Sequence, residues 1–216
     1  MDAGSGERPA VMVPAAMSIK EAHPMLVPAS LAREIEELEQ PYADYTAHVS
    51  PDSMAIAHAT SAYILWLCRV LRPASVCDFG SGFTSYVLRY YGECEVVSVD
   101  DHPDWIGWTS KYLERMGYAP DGLMMFDEYM RTDLQHDLIV YDFSNGNVRE
   151  ANFGMALDRL ISEGVAVFDD AQHGGHQARM LEECAARRFD LCSAHEFTKD
   201  RYGRFAAVAV KGAWSR

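Results

Sequence analysis

The sequence predicts an α/β domain built on a doubly wound, mostly parallel sheet, and three observations support this fold class. From about residue 73 onward, short apolar runs alternate with stretches of helical periodicity, the pattern of a parallel sheet covered on both faces by helices. The apolar run that ends at Asp78 leads into a glycine-rich turn and then a helical pattern. The last two apolar runs are joined by the short polar segment 198–203, which predicts an antiparallel hairpin.

The first 72 residues precede the first predicted strand and divide into an arm and a helical cap. Residues 1–28 contain four prolines among small residues, which favours an extended arm or a lid over a pocket. From Ser30, a predicted N-cap, apolar residues recur at helical spacing, with the glutamates of 34–39 on the solvent side. A second helix is predicted to end near Val70, and the two helices form a cap over residues 29–72.

The third predicted unit, residues 73–216, contains the sheet. Seven strands are expected, near 75–79, 95–100, 122–126, 137–142, 164–169, 189–197 and 204–211. Four helices are expected between them, near 83–91, 103–117, 149–162 and 174–188. Because the carboxyl ends of parallel strands meet at one edge of a sheet, the residues that follow these strands are the candidate site residues.

The segment Asp-Phe-Gly-Ser-Gly-Phe-Thr, residues 78–84, carries the strongest functional signal. Its two glycines lack a Cβ atom, which lets the backbone adopt positive φ and lets a ligand approach the main chain. The helix that follows offers free N–H groups in its first turn. The predicted cofactor-binding residues of this loop are Asp78, Gly80, Ser81, Gly82 and Thr84.

A second acidic position supports a nucleotide-binding site. The next apolar run ends in Asp100 and Asp101, and the first of these lies eighteen residues beyond Gly82 (100 − 82). An acid at the tip of the second strand of a βαβ unit is placed to accept hydrogen bonds from ribose hydroxyls. Ser85 stands where the dinucleotide fingerprint has its third glycine or alanine, which disfavours NAD as the ligand.

The glycine loop and Asp100 together resemble the class I S-adenosylmethionine-dependent methyltransferases. The seven predicted strands with a terminal hairpin are similar to the strand order of that family, so the resemblance covers residues 70–211. It implies a Rossmann-like methyltransferase fold and S-adenosylmethionine as the cofactor.

Further cofactor contacts follow from the same resemblance. Asp127 matches a position that often contacts the adenine amino group in this family; the alternative is an ordinary turn acid. Phe143, Trp105 and Tyr141 are expected to flank the adenine or the sulfonium, whose positive charge is attracted to an aromatic face. The alternative for each of these aromatic residues is a place in the core.

Acidic residues also follow the fourth and fifth predicted strands. Asp142 ends the fourth, and Asp169 and Asp170 end the fifth. Three carboxylates at one sheet edge are hard oxygen ligands, which suit a divalent cation that orients substrate hydroxyls. The pattern is similar to the metal-dependent catechol O-methyltransferases, and this similarity implies that the three residues hold Mg²⁺. The alternative is that the acids only end their strands and cap the following helices.

The similarity to the catechol-type enzymes is incomplete at the general base. In that subgroup a lysine follows the fourth-strand acid by three residues, whereas this chain has Asn145, which accepts no proton at neutral pH. His173 is the predicted substitute, because imidazole titrates near neutral pH; the alternative is an exposed loop histidine. The predicted catalytic residues are Tyr141, Asp142, Asn145 and His173.

Composition narrows the expected partners. The 216 residues hold 19 lysines and arginines against 32 aspartates and glutamates, and the formal charge of −13 repels phosphate backbones. A small molecule is therefore the expected substrate, for example an intermediate of specialised metabolism, and nucleic acid is not. The five cysteines show no Cys-x-x-Cys spacing, so reduced thiols are expected. With no basic leader or long apolar run, the sequence predicts a soluble, cytoplasmic protein without a membrane partner.

The sequence leaves three functional hypotheses. The first is transfer of a methyl group from S-adenosylmethionine to an oxygen or nitrogen of a small molecule. The second is cyclisation of the cofactor to azetidine-2-carboxylic acid and methylthioadenosine, which the apolar arm, the helical cap and Asn145 also fit. The third is a non-catalytic ligand-binding domain on the same fold. A homodimer is compatible with all three.

Overall fold

An eight-stranded sheet forms the centre of the protein, in a computed structural model that describes residues 17–211. The strands are β1 Met17–Ser18, β2 Ser75–Phe79, β3 Glu95–Asp100, β4 Leu123–Met125, β5 His136–Tyr141, β6 Leu160–Phe168, β7 Phe189–Ser193 and β8 Ala207–Lys211. The helices are α1 Ile19–Ala22, α2 Ala32–His48, α3 His58–Leu71, α4 Phe83–Tyr91, α5 Pro103–Arg115, α6 Phe126–Tyr129, α7 Gly146–Asp158, α8 Gly174–Arg187 and α9 His195–Thr198. A 3₁₀ turn covers Pro24–Leu26.

The strand order is β1-β7-β8-β6-β5-β2-β3-β4. All neighbouring strands are parallel except at β8, which runs antiparallel to both β6 and β7. The predicted fold class is therefore confirmed: the seven expected strands form a doubly wound, mostly parallel sheet with a C-terminal antiparallel hairpin. The sequence did not predict β1, a two-residue strand that pairs with β7 at the edge of the sheet.

The register of the central strands aligns their carboxyl ends. Phe79 of β2 pairs with Val99 of β3 on one side and with Tyr141 of β5 on the other, and Tyr141 pairs with Phe168 of β6. The residues that follow these four strands therefore meet at one edge. The strand order reverses between β2 and β5, which is the switch point where doubly wound sheets bind their ligands.

Both faces of the sheet are covered by buried helices. On one face α3 contributes Ile64 and Leu67 to a core that includes Val76 and Leu138. On the other face α7 and α8 contribute side chains such as Phe153 to a second core. Most of α3, the second helix of the predicted cap, is inaccessible to solvent because it packs in the first of these cores.

Two details of the cap differ from the prediction. Leu31 rather than Ser30 is the N-cap residue of α2, although the Ser30 hydroxyl accepts a hydrogen bond from the Ala32 N–H at 3.1 Å. Glu34 is only 5% exposed, whereas the helical pattern placed it in solvent. Its carboxylate accepts a hydrogen bond from Arg69 of α3 at 2.6 Å, and this partner explains why a charge is tolerated there.

Residues 17–28, the described part of the predicted arm, pack at the β7 edge of the sheet. Ile19 and Leu26 are buried, and the Tyr63 hydroxyl donates a hydrogen bond to the Leu26 carbonyl at 2.9 Å. This part of the arm does not cover the cavity described below. The rest of the predicted arm, residues 1–16, lies outside the described residues.

Element boundaries were predicted less well than element types. The helix expected to reach residue 162 ends at Asp158, because Leu160 already starts β6 and an apolar run fits a helix or a strand equally well. The strand expected over 189–197 ends at Ser193 and is followed by α9. Across residues 17–211, every helix is too short or too polar to traverse a lipid bilayer.

Candidate functional site

A cavity of about 700 Å³ opens at the carboxyl edge of the sheet, where β2, β3, β5 and β6 end. The loop after α2 and residues near the start of β8 complete its wall. The predicted site residues that line it are Gly80, Ser81, Gly82, Thr84, Asp100, Asp101, Trp105, Asp142, Asn145, Asp169, Asp170 and His173. Residues that are far apart in the chain therefore share one cavity, as expected for the ends of parallel strands.

Four of the predicted site residues do not line the cavity. Asp78 lies beneath the glycine loop and has no exposed surface. Tyr141 is buried and its hydroxyl donates a hydrogen bond to the Arg149 carbonyl at 2.9 Å. Phe143 is buried against Phe126, with ring centroids 4.8 Å apart. Asp127 is exposed in the first turn of α6.

Different structural features explain why glycine occupies positions 80 and 82 of the loop. Gly80 adopts φ +96°, and a Cβ there would collide with the Asp142 carbonyl oxygen. Gly82 instead has extended backbone at φ 165°, so the expected positive φ applies to Gly80 alone. A Cβ at Gly82 would lie 2.8 Å from the hydroxyl of Tyr45, which reaches over the loop from α2. Gly80 therefore excludes a side chain through the backbone, whereas a side chain at Gly82 would require Tyr45 to move.

Asp78 holds the glycine loop from below. The Ser85 hydroxyl donates to Asp78 Oδ2 at 2.6 Å and accepts from the Gly82 N–H at 3.2 Å. Burial raises the pKa of Asp78 to about 8, because the charged carboxylate would lose its hydration inside the protein. Ser85, which stands at the third position of the dinucleotide fingerprint, thus links the end of β2 to the glycine loop through these two hydrogen bonds.

Asp100 holds the loop from the side of β3. Its Oδ2 accepts hydrogen bonds from the Ser81 N–H at 2.9 Å and the Ser81 hydroxyl at 3.1 Å. Its Oδ1 accepts from the His102 N–H at 2.9 Å. A carboxylate has about four acceptor positions, so acceptor capacity remains for the hydroxyls of a ligand in the cavity.

The other acidic residues surround a guanidinium. Side-chain oxygens of Asp142, Asp169 and Asp170 lie within 4.8 Å of one another. Arg149 of α7 donates to Asp142 Oδ1 at 2.6 Å and to Asp170 Oδ2 at 2.8 Å. Its Nε donates to the Phe143 carbonyl at 3.0 Å, and its side chain is 8% exposed. We call these four charged side chains the Arg149 cluster.

Burial and the guanidinium act in opposite directions on the acids of the cluster. Burial raises the pKa of Asp142 to about 6, although the Arg149 charge favours the ionised form. Burial also raises the pKa of Asp169 well above its ordinary range, and Asp169 Oδ1 has no hydrogen-bond partner. For Asp170, burial is outweighed by hydrogen bonds from Gln172 and Arg149, which lower its pKa.

Two residues at the cluster have unusual backbone conformations. Ser144 and Asp170 adopt φ of 54° and 57°, in the left-handed region that residues with side chains seldom occupy. Arg72 and Arg188, the other such residues within 17–211, are C-caps of helices, where this conformation is common. Strained backbone away from helix ends is concentrated at functional sites, and here it lies on the cavity wall.

His173, the predicted general base, and Asn145 are exposed residues on the wall of the cavity. His173 is exposed at the N-cap of α8, with its ring centroid 5.2 Å from that of His176. Asn145 is exposed at the N-cap of α7. Both side chains are open to a ligand, and the catalytic role of each stays a prediction.

Sequence reasoning missed Tyr45, Arg149 and Arg204, which also line the cavity. Arg149 carried a usable signal, because it lies in the first turns of α7, where the helix dipole disfavours a cation unless carboxylates are close. Arg204 donates to the carbonyls of Ala55 and Asp52 at 2.8 and 3.0 Å, so it attaches the loop after α2 to the C-terminal region. Nothing local in the sequence indicates this contact.

The contacts of the Arg149 cluster determine whether these residues fit the Mg²⁺ that the resemblance implied. Its carboxylates are the hard oxygen ligands that Mg²⁺ prefers. However, the Arg149 guanidinium already donates to two of them and carries a permanent positive charge. With the arginine in this position, the residues do not fit a divalent cation.

Solved structures similar to this one are methyltransferases. The O-methyltransferase TomG from Streptomyces achromogenes, in complex with S-adenosylmethionine, has a TM-score of 0.60 at 16% identity, over 86% of this chain and 91% of TomG. The Bacillus cereus O-methyltransferase has a TM-score of 0.57 at 17% identity, over 89% and 95% of the two chains. The 16S rRNA methyltransferase RsmC of T. thermophilus has a TM-score of 0.52 at 20% identity, over 69% of this chain and 42% of RsmC.

These similarities show that the chain has the class I methyltransferase fold. No family model matches the sequence. No curated protein matches it either. The fold is therefore established by structure, whereas the reaction has to be inferred from the site.

Proposed function

We propose that the protein is an S-adenosylmethionine-dependent methyltransferase that modifies an oxygen or nitrogen of a small molecule. One observation carries the proposal: the glycine loop and Asp100 line the same cavity at the switch point of a sheet with the methyltransferase fold. Three solved structures of this fold, 14–17% identical to this chain, are complexes with S-adenosylmethionine or its demethylated product, which supports the cofactor assignment.

The described residues suit that cofactor chemically. Gly80 and Gly82 line the cavity and let the loop pass close to the Asp142 carbonyl and the Tyr45 hydroxyl, and Asp100 retains acceptor capacity for ribose hydroxyls. Five aspartates line the cavity against two arginines, Arg149 and Arg204, so the field of the cavity attracts a positively charged sulfonium even when Asp169 is protonated. When bound, S-adenosylmethionine supplies an activated methyl group. The protein then has to align the acceptor and exclude water.

The acceptor is expected to be small and not anionic. The same acidic cavity, in a chain of formal charge −13, repels phosphates and so disfavours RNA, even though RsmC shares the fold. Asn145 and His173 line the cavity and are exposed, which supports a role for both toward the acceptor, and His173 is the proposed proton acceptor. The solved neighbours reported above are described as methyltransferases, which supports methyl transfer as the reaction.

Calorimetric titration with S-adenosylhomocysteine tests the cofactor site. We expect binding by the native chain and a loss of at least about tenfold in affinity for Asp100→Asn, because a charge-assisted hydrogen bond to the ribose is weakened. Asp133→Asn, with the same loss of charge at an exposed residue outside the cavity, is the matched control. No heat with the native chain, or equal affinity for both variants, would reject the site.

Turnover assays test the reaction. Methyl-labelled S-adenosylmethionine is incubated with a panel of small phenols, catechols and amines, and separately with no acceptor. We expect label in one class of acceptor and no methylthioadenosine in the reaction without acceptor. Methylthioadenosine from the cofactor alone would instead identify the cyclase, and binding without either product would identify a non-catalytic domain.

A further inference from the structure

We propose that Arg149 is the resident cation of the Asp142–Asp169–Asp170 cluster and occupies the position that a divalent metal would take, so the protein binds no metal there. This inference depends only on the described contacts and not on the proposed reaction. It reverses the expectation that the resemblance to catechol-type enzymes created.

The first line of support is the number of contacts that Arg149 makes. Three nitrogens of one guanidinium reach four oxygens, on Asp142, Asp170, the Phe143 carbonyl and, at 3.3 Å, the Ser144 carbonyl. These oxygens come from the loops after β5 and β6. The planar fork of arginine suits several fixed acceptors at once, whereas a metal would need the same carboxylates turned toward one point.

Charge is the second line of support. Two positive charges about 4 Å apart repel each other much more strongly at a partly buried site than in bulk water, because the effective dielectric constant there is lower. A divalent cation beside Arg149 would feel twice that repulsion. Arginine cannot deprotonate to relieve it. The metal would therefore have to displace a side chain that is 8% exposed and pinned by hydrogen bonds on both sides.

The backbone gives the third line of support. Ser144 and Asp170, the two residues held in the left-handed region away from helix ends, both contact Arg149. Such conformations persist only where surrounding contacts impose them. The loops after β5 and β6 are thus shaped around a guanidinium.

Manganese binding, followed by the loss of the free Mn²⁺ signal in electron paramagnetic resonance, tests this inference. We expect the native chain to leave Mn²⁺ free up to about 1 mM, the weak end of protein divalent-cation sites. Arg149→Met exposes the carboxylates to the solution, so we expect it to bind Mn²⁺ at least about tenfold more tightly than the native chain. We also expect Mn²⁺ to raise the melting temperature of this variant and not that of the native chain.

Arg187→Met is the matched control. Arg187 likewise bridges two carboxylates, those of Asp158 and Glu183, on a more exposed part of the surface. Because those carboxylates are not held together by buried loops, its removal should create no Mn²⁺ site. Arg149→Lys keeps the positive charge and should also remain metal-free.

Several results would overturn the inference. Mn²⁺ bound by the native chain at micromolar concentrations would show that the arginine does not exclude a metal. A folded Arg149→Met chain that gains no affinity would show that the guanidinium is not what occupies the position. If Arg149→Met fails to fold, the titrations of the native chain and Arg149→Lys still decide the question. Absence of S-adenosylhomocysteine binding would leave these titrations unaffected, so failure of the proposed function is recognised separately.

Discussion

Asp100 and the Arg149 cluster lie at the same edge of the same sheet, yet their carboxylates are stabilised in different ways. Asp100 accepts hydrogen bonds from Ser81 and from the His102 N–H, groups without formal charge. Asp142 and Asp170 share a guanidinium. Neutral donors leave a carboxylate its negative charge, whereas an arginine neutralises it. The identity of the donors therefore separates a carboxylate suited to bind a ligand from carboxylates that hold the wall in shape.

The two regions also differ in what supports them. The Asp100 side depends on a backbone turn in which Gly80 passes against the Asp142 carbonyl. The Arg149 side depends on buried ion pairs. Removal of one partner of a buried ion pair strongly destabilises the folded protein, because the other charge is left unpaired. Substitutions on the two sides should consequently have different signatures in stability and in ligand affinity.

The largest effect is expected for Gly80→Ala. Alanine at φ +96° is strained, and its Cβ would collide with the Asp142 carbonyl, so we expect a loss of about 5 kcal/mol or more in the free energy of unfolding. Gly117→Ala is the control, because φ is +83° there but nothing lies within 4 Å of the added Cβ; about 1 kcal/mol is expected. Urea unfolding measures both. Equal losses would mean that the close approach at Gly80 does not matter.

Removal of Arg149 is expected to have the next largest effect. Arg149→Met leaves buried carboxylates unpaired, so we expect a loss of about 3–5 kcal/mol in unfolding free energy. Asp100→Asn retains hydrogen-bonding capacity and should lose about 1–2 kcal/mol while weakening S-adenosylhomocysteine binding. Arg187→Met, at exposed ion pairs, should lose about 1 kcal/mol or less. A greater loss for Asp100→Asn than for Arg149→Met would reverse the contrast between the two regions.

Comparison of the native chain with Asp78→Asn isolates the contribution of Asp78 to the pH dependence of stability. Its folded-state pKa of about 8 lies above the unfolded value, so the folded chain holds an extra proton between about pH 4 and pH 8. Its contribution to stability is complete below that window and is lost as the pH rises through it, by at most about 1.4 kcal/mol per pH unit. Urea unfolding of the native chain and Asp78→Asn from pH 5 to pH 8 measures this slope. An unchanged slope in the variant would contradict the raised pKa.

The smallest effect is expected for Tyr45→Phe, which probes the contact between the helical cap and the glycine loop. Because its hydroxyl lies over Gly82 on the cavity wall, we expect S-adenosylhomocysteine affinity to fall by about threefold to tenfold, as for the loss of one hydrogen bond. Tyr42→Phe is the control on the same helix. Its hydroxyl donates to Asp52 at 2.6 Å and does not line this cavity, so stability should fall and affinity should not. Unchanged affinity for Tyr45→Phe together with lower affinity for Tyr42→Phe would show that the ligand does not contact Tyr45.

The alternation of apolar and helical runs, the glycine loop and the acids at strand ends were sufficient to predict the fold class and the part of the cavity wall that follows β2, β3, β5 and β6. These features are local, since periodicity and turn chemistry act over a few residues and parallel strands bring their ends together by construction. Ser85 was also an informative local feature. It departs from the dinucleotide fingerprint, and in the structure its hydroxyl donates the hydrogen bond to Asp78 that supports the glycine loop.

The tertiary structure alone decided what each carboxylate contacts. Whether Asp142 and Asp170 face a metal or a guanidinium depends on how α7 is placed against the loops after β5 and β6, and no local pattern encodes that placement. The same holds for Tyr45, which reaches Gly82 because α2 packs beside α3 and α4. Charge and hydrogen bonding act through space over a few ångströms, so the chemistry of these residues was set by neighbours distant in the chain.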